Sequence, residues 1–276
     1  MLVKKLKKIY RFFFLKYFRI IYKFQYDIPF FNTSDHIKTV NPIKYIQGSK
    51  SVAVIGKGAS IFKSSPKKII EECDCRILLS RVDVENLEEF IGNKFEVQIS
   101  PQVAEDNSIM QVMPKNIIDK YGIKLLICNL EKKDKRFKTF YNFFHDRVDM
   151  LGYIPSENQL DFNIDVFNYS PTGRLTIASS VLKILYNVPS VEKIVFAGVD
   201  AYHFGYSQKQ KKDGKIFFDI NITSQNPLET HGKPFIKFMI DTVIKKNKIK
   251  KLRVFFPKIL KDYIDFPDHE SFNFYD

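Results

Sequence analysis

Four short stretches of this 276-residue chain hold residue types that chemistry can use. Gly56-Lys57-Gly58-Ala59-Ser60 follows a compact apolar run at 51–55. Glycines after a strand let the backbone turn tightly and approach a ligand, and a helix that follows offers N–H groups to an anion. Ser60 could cap such a helix, and Lys57 could add a charge beside a phosphate; a plain tight turn with no ligand uses the same residues. Ser170-Pro171-Thr172-Gly173 precedes an Ala- and Ser-bearing helical segment and reads as a second helix start with hydroxyl and N–H donors. Phe196-Ala197-Gly198-Val199-Asp200-Ala201-Tyr202 reads as a strand ending in a glycine and a carboxylate. Asp200 is equally a turn-former, and Tyr202 equally an anchoring phenol. His231 closes a long polar stretch, in Glu229-Thr230-His231-Gly232-Lys233, just before a helix, where a surface histidine is the competing reading.

What is missing narrows the chemistry. A dinucleotide fingerprint calls for a third glycine at position 61, which is Ile61, so a nucleotide-dependent oxidoreductase is disfavoured. The turn is no P-loop, because no Gly-Lys-Ser/Thr follows at the required distance. The nearest thing to an Asp-x-Asp metal pair is Asp83-Val84-Glu85, which reads as charge at a helix start. No metal ligand set is assigned. Cys73, Cys75 and Cys128 are too few for a disulfide framework and are spaced unlike a zinc knuckle, so they read as small buried residues.

The elements that must position these residues alternate. Apolar runs at 51–55, 76–79, 95–99, 123–128, 193–197 and 252–256 read as strands. Helical patterns fall between them at 66–72, 84–91, 114–121, 137–146, 174–186 and 234–245. The fold class is therefore α/β: a Rossmann-like, mainly parallel sheet with helices on both faces, over 50–276. Residues 32–50 read as a polar connector, and 206–230 as a long loop of the kind that often forms a lid.

The basic charge is lopsided. The chain has 44 Lys and Arg against 31 Asp and Glu, a formal net charge of +13, yet residues 1–24 alone carry eight basic and no acidic residues. The remaining 36 basic against 31 acidic residues leave +5, so the body gives no nucleic-acid signal. In the leader, Leu2, Leu6, Ile9, Phe13, Tyr17, Ile20 and Phe24 share one helical stripe flanked by cations. Its longest apolar run, 12–15, is far short of the ~20 residues a bilayer crossing needs. An amphipathic helix over 1–31, lying on an anionic membrane surface through 1–24, fits best. Packing on the body or on a partner subunit is the alternative, and an RNA-binding arm a weaker one.

Taken in order, GKGAS after the first strand, PTG before a helix, AGVDAY at a strand end and the later His231 resemble glycosyltransferase family 42, the bacterial CMP-sialic acid-dependent sialyltransferases. The resemblance runs from about Val52 to Val243. It implies a GT-A-like variant of the Rossmann-like sheet and an inverting, metal-independent transfer with a CMP-sugar as co-substrate and no cofactor. His231 looks like the family's general base, a task suited to an imidazole pKa near neutrality. Tyr202 and Tyr206 are similar in place to the tyrosines that hydrogen-bond the departing phosphate. Gly56, Lys57, Gly58 and Ser60 would hold phosphate and ribose, while Thr172 and Gly173 would meet the sugar carboxylate. Lys57 stands where the family usually has Asn; Ser80 and Ser100 stand near its donor-touching asparagines; Arg174 could replace an arginine whose place falls at Tyr169. Among the remaining histidines, His36, His145 and His269 read as bland, and His203, next to Tyr202, is the best substitute base.

The expected partners are a CMP-activated acidic sugar (sialic acid, or another keto-sugar such as Kdo), a bacterial surface-glycan or lipooligosaccharide acceptor, and the anionic membrane. The expected location is cytoplasmic, peripheral on the inner face of the cell membrane. A homo-oligomer is left open, and nucleic acid is not a partner. The competing function is a non-catalytic nucleotide- or glycan-binding module of the same fold docked at the membrane.

Overall fold

The computed structural model describes residues 39–80, 82, 84–100, 115–132, 134–156, 160, 169, 176–201, 203, 210–212, 215–217, 232–247 and 251–276. Nine strands form one sheet: β1 (Thr39–Val40), β2 (Ser51–Ile55), β3 (Cys75–Leu79), β4 (Val97–Ser100), β5 (Leu125–Cys128), β6 (Met150–Tyr153), β7 (Lys193–Ala197), β10 (Arg253–Pro257) and β11 (Phe272–Tyr275). Two more, β8 (Gln210–Lys212) and β9 (Lys215–Phe217), pair separately as an antiparallel hairpin. The helices are α1 (Pro42–Ile46), α2 (Lys67–Glu71), α3 (Glu88–Ile91), α4 (Lys115–Tyr121), α5 (Lys135–Phe144), α6 (Ile177–Tyr186) and α7 (Lys233–Asn247).

The sheet order is β1-β6-β5-β4-β3-β2-β7-β10-β11, and every pairing in it is parallel. From β2 the chain steps outward through β3, β4, β5 and β6, then returns to place β7 on the other side of β2. Parallel strands are covered on both faces, so their runs are apolar throughout and alternate residues feed two separate cores. Val52 and Val54 of β2 join the core under α1, α6 and α7, whereas Ala53 and Ile55 join the one under α2 to α5. Helix α6 is buried from Ser179 through Tyr186 and packs against α7, where the Tyr186 phenol lies 3.0 Å from the Thr242 hydroxyl.

The expected α/β class is confirmed, and the sheet is wholly parallel. Strands 51–55 and 193–197 fall where expected, and the other four shift by one or two residues at one or both ends. The stretch read as a connector supplies β1 and α1, and the stretch read as a long loop contains the β8–β9 hairpin. Asp213-Gly214, a pair favoured in two-residue hairpin turns, was the overlooked signal. The expected basic leader lies outside the described residues. Among the described residues, no helix is long and apolar enough to cross a membrane. The three cysteines are buried and unbridged; burial pushes the Cys73 thiol up to about 11 and the Cys75 thiol up to about 12, so neither is a poised nucleophile.

Candidate active site

Because the sheet is parallel, all its strands end at one edge. The crossover direction reverses between β2 and β7, which makes the space beyond their carboxyl ends the topological switch point where open α/β sheets bind ligands. The glycine turn 56–60 leaves β2 there, Ser80 follows β3, Ser100 ends β4, and Gly198 and Asp200 follow β7.

The glycine turn is built against the end of β7. Gly56 N–H donates to Ala197 O at 2.8 Å, Gly58 N–H to Gly198 O at 2.7 Å, and Ser60 N–H to Asp200 Oδ2 at 2.8 Å. Alternate N–H groups thus continue the β2–β7 ladder beyond the strands. The Ser60 hydroxyl donates to the other carboxylate oxygen, Asp200 Oδ1. A methyl group on Gly56 would collide with the Gly198 carbonyl, and one on Gly58 with the Asp200 carboxylate. These glycines are therefore required by the close approach of two strand ends. Gly198, at φ +62, adopts a backbone that side chains disfavour.

Ala59–Phe62 is a short 3-10 turn with Ser60 inside it, not a capped α-helix. A carboxylate from the same chain already occupies the donor group at Ser60. Asp200 is 3% exposed, and burial raises its pKa to about 6 against the opposing hydrogen bonds from Ser60 and the charge of Lys63. Asp200 also opens a turn, its carbonyl accepting from His203 N, while its carboxylate holds Ser60. Further contacts brace the assembly: Ser64 O–H donates to Ser60 O at 2.9 Å, and Tyr275 O–H reaches from β11 to Phe196 O at 2.6 Å.

Ser80 has φ 59, in the left-handed region. Its N–H donates to Ile99 O at 2.7 Å and its carbonyl accepts from Gln98 Nε2 at 2.7 Å. Ser100 is fully buried, and its carbonyl accepts from Asn129 N at 3.1 Å. Lys57 is half-buried in the turn. Past β7, Ala201 at φ 47 bends the chain, and His203 N–H donates to Asp200 O at 2.9 Å. The His203 ring lies 5.8 Å from that of Tyr263. Its pKa is lowered by burial and then by the charge of Lys233, the first residue of α7. His145 and His269 serve local structure, the first beside carbonyls of α5 and the second accepting from Ser271 N.

Helix α6 begins later than the sequence suggested. Thr176 is extended at φ −62, ψ 160, and its hydroxyl accepts from Ser179 N at 3.2 Å, so Thr176 is the cap and Ile177 the first helical residue. A segment starting at 174 and running unbroken to 186 is excluded by that extended residue. The Pro-Thr-Gly sequence expected to open this helix ends three residues before its cap. Tyr169 packs edge-on against Phe238 of α7, and burial with the nearby Asp241 raises its phenol to about 12. Tyr202, Tyr206, His231, Thr172, Gly173 and Arg174 lie outside the described residues. Among the described residues, no three His, Cys, Asp or Glu side chains gather as a metal-binding group.

Sequence reasoning singled out Gly56, Gly58, Ser60, Ser80 and Ser100, and the structure brings them to one edge. It missed Gln98 and Thr176. The Thr-x-x-Ser spacing at 176–179 could have flagged the cap, but nothing in the sequence marks Gln98.

No protein-family profile matches the chain, and no curated protein matches it by sequence. Solved structures do. A single-site variant of the sialyltransferase CST-II in complex with CMP superposes at a TM-score of 0.52 and 18% identity, over 80% of this chain and 88% of that one. CST-II with a trisaccharide acceptor and CMP gives 0.50 and 17%, with the same coverage. Campylobacter jejuni CstII with cytidine-5'-monophosphate gives 0.50 and 18%, over 79% and 84%. The chain has the sialyltransferase fold.

Proposed function

We propose that this chain is an inverting, metal-independent glycosyltransferase that moves sialic acid or a related acidic keto-sugar from a CMP donor to a bacterial surface glycan. The observation that carries this reading is the glycine turn bound to the end of β7 at the switch point, in a fold shared with proteins solved with CMP. The acceptor hydroxyl attacks the anomeric carbon as the bond from that carbon to the phosphate oxygen breaks; its proton passes to His231, and CMP departs with the bonding pair. Tyr202 and Tyr206 donate hydrogen bonds to the phosphate as charge develops there. His231 precedes α7 by two residues in the chain, and the charge of Lys233 is felt by His203 at the end of β7.

In this reading, Ser60 supports the donor site from beneath, since Asp200 takes both its donors. Gly56, Lys57 and Gly58 form the floor beside the phosphate, with Ser80 and Ser100 along the nucleotide. Thr172, Gly173 and Arg174 approach the sugar carboxylate together with the cap of α6 at Thr176. The basic leader holds the enzyme on the inner face of the cell membrane, near lipooligosaccharide acceptors.

CMP at a hundred times its dissociation constant should stabilise the fold by ~2.7 kcal/mol and raise its melting temperature. A shift with another nucleotide and none with CMP rejects the reading. His231→Ala should abolish transfer while leaving CMP affinity nearly intact. Binding of CMP with no turnover across a screen of CMP-sialic acid, CMP-Kdo and related donors would favour the non-catalytic module.

A further inference from the structure

Gln98 lies in the middle of β4, between Leu78 of β3 and Leu126 of β5, with none of its surface exposed. Its neighbours Val97 and Ile99 turn to the opposite core, so its amide enters an apolar layer. Half of that amide has an evident use: Nε2 donates to the Ser80 carbonyl. The other half, Oε1, has no hydrogen-bond partner among the described residues. A carbonyl can only accept, so turning the amide over would lose the bond that exists. An apolar residue of the same length would avoid the orphaned oxygen, so core packing does not account for a glutamine here.

Ser80 is what the glutamine holds. An L-residue with φ 59 is disfavoured and persists when its surroundings over-determine it. Here both main-chain groups are held from β4, the N–H by the Ile99 carbonyl and the carbonyl by Gln98. The Ser80 hydroxyl makes no hydrogen bond among the described residues. It stands at the carboxyl edge, one strand from the glycine turn.

We infer that Gln98 is a positioning residue that locks Ser80 in its left-handed conformation, so that Ser80 is pre-ordered for the nucleotide of the donor. The inference rests on the reading of the crevice as a CMP site. Without Gln98, Ser80 relaxes toward ordinary backbone angles and must be re-ordered whenever nucleotide binds.

The test uses the full chain with Gln98→Met, Ser80→Ala and the double variant, read by CMP titration calorimetry and by urea unfolding. Gln98→Met should unfold cooperatively near the wild-type midpoint, because losing the bond and losing the orphaned oxygen oppose each other. Its Kd for CMP should rise about fivefold to tenfold, the cost of ordering one backbone residue on binding. The double variant should bind no more weakly than the weaker single variant, because Gln98 acts only through Ser80. Should Gln98→Met fail to fold, Gln98→Asn, one methylene too short to reach the carbonyl, carries the same expectation. A Kd within twofold of wild type in the folded variant, or two effects that multiply in the double variant, overturns the inference and leaves the CMP site standing. No CMP binding by wild type overturns the site and the inference together.

Discussion

Replacing Gly58 by alanine puts a methyl carbon inside the carboxylate of Asp200, 2.8 Å from Oδ1 and closer still to Oδ2 and Cγ. The backbone there, φ −70 and ψ 144, suits alanine, so the change costs nothing in conformation and by itself gains ~0.4–1 kcal/mol from a stiffer unfolded chain. The entire loss must come through Asp200, which has to withdraw and break both bonds to Ser60. Hydrogen bonds to a charged group contribute ~1.5–3 kcal/mol each, which sets the net destabilisation at ~2–5 kcal/mol. Asp200→Ala breaks the same bonds but also removes a buried carboxylate. Its pKa, raised from 3.8 to about 6 with those bonds in place, makes the ionised carboxylate unfavourable by about 3 kcal/mol at neutral pH relative to the protonated one, so this variant should lose less than Gly58→Ala. In the Asp200→Ala background the new methyl meets open space, and Gly58→Ala should cost almost nothing. Urea unfolding of the four proteins gives the coupling, expected at ~2–5 kcal/mol. Additivity within ~0.5 kcal/mol would refute the claim that Gly58 is glycine because of Asp200.

The raised pKa of Asp200 makes a signed pH prediction. Its folded value lies above the unfolded one, so its favourable contribution is complete below pH 3.8 and is lost as pH rises through about 6. Unfolding of wild type against Asp200→Asn should therefore show the variant gaining up to ~3 kcal/mol relative to wild type between pH 4 and 7, and a flat difference would remove the assignment. His203→Ala should leave more than about a tenth of the transfer rate, since its low pKa and its bond to the Asp200 carbonyl describe a braced turn residue; loss comparable to that in His231→Ala would make His203 the base. Full-length protein should float with anionic liposomes and a version lacking residues 1–24 should not, whereas equal flotation discards the membrane anchor.

What could be read from sequence was what burial on two faces imposes locally. SVAVI and KIVFA are short β-branched runs with nothing polar to interrupt them, and they appear as β2 and β7 at the expected residues. Strand β6 escaped notice because it is four residues long and contains Gly152, and β1 because it has only two residues. The start of α6 was misplaced because Thr172 and Thr176 are equally good caps in sequence, and only the Ser179 N–H bound to Thr176 decides between them. The glycines stand out in the sequence, but the packing reason for them is not legible there. Their contacts lie about 140 residues away, on Gly198 and Asp200, and no local pattern reports a neighbour so distant in the chain. Gln98 was invisible for a related reason: its worth depends on the angle adopted by Ser80, which a single letter does not express.

The suture between the glycine turn and β7 also limits how this molecule can move. Three main-chain donors and one hydroxyl tie residues 56–60 to residues 197–200, so the two halves of the sheet cannot hinge apart at their junction. The turn takes its shape from contacts within the chain alone, so a ligand bound there would spend nothing on forming it.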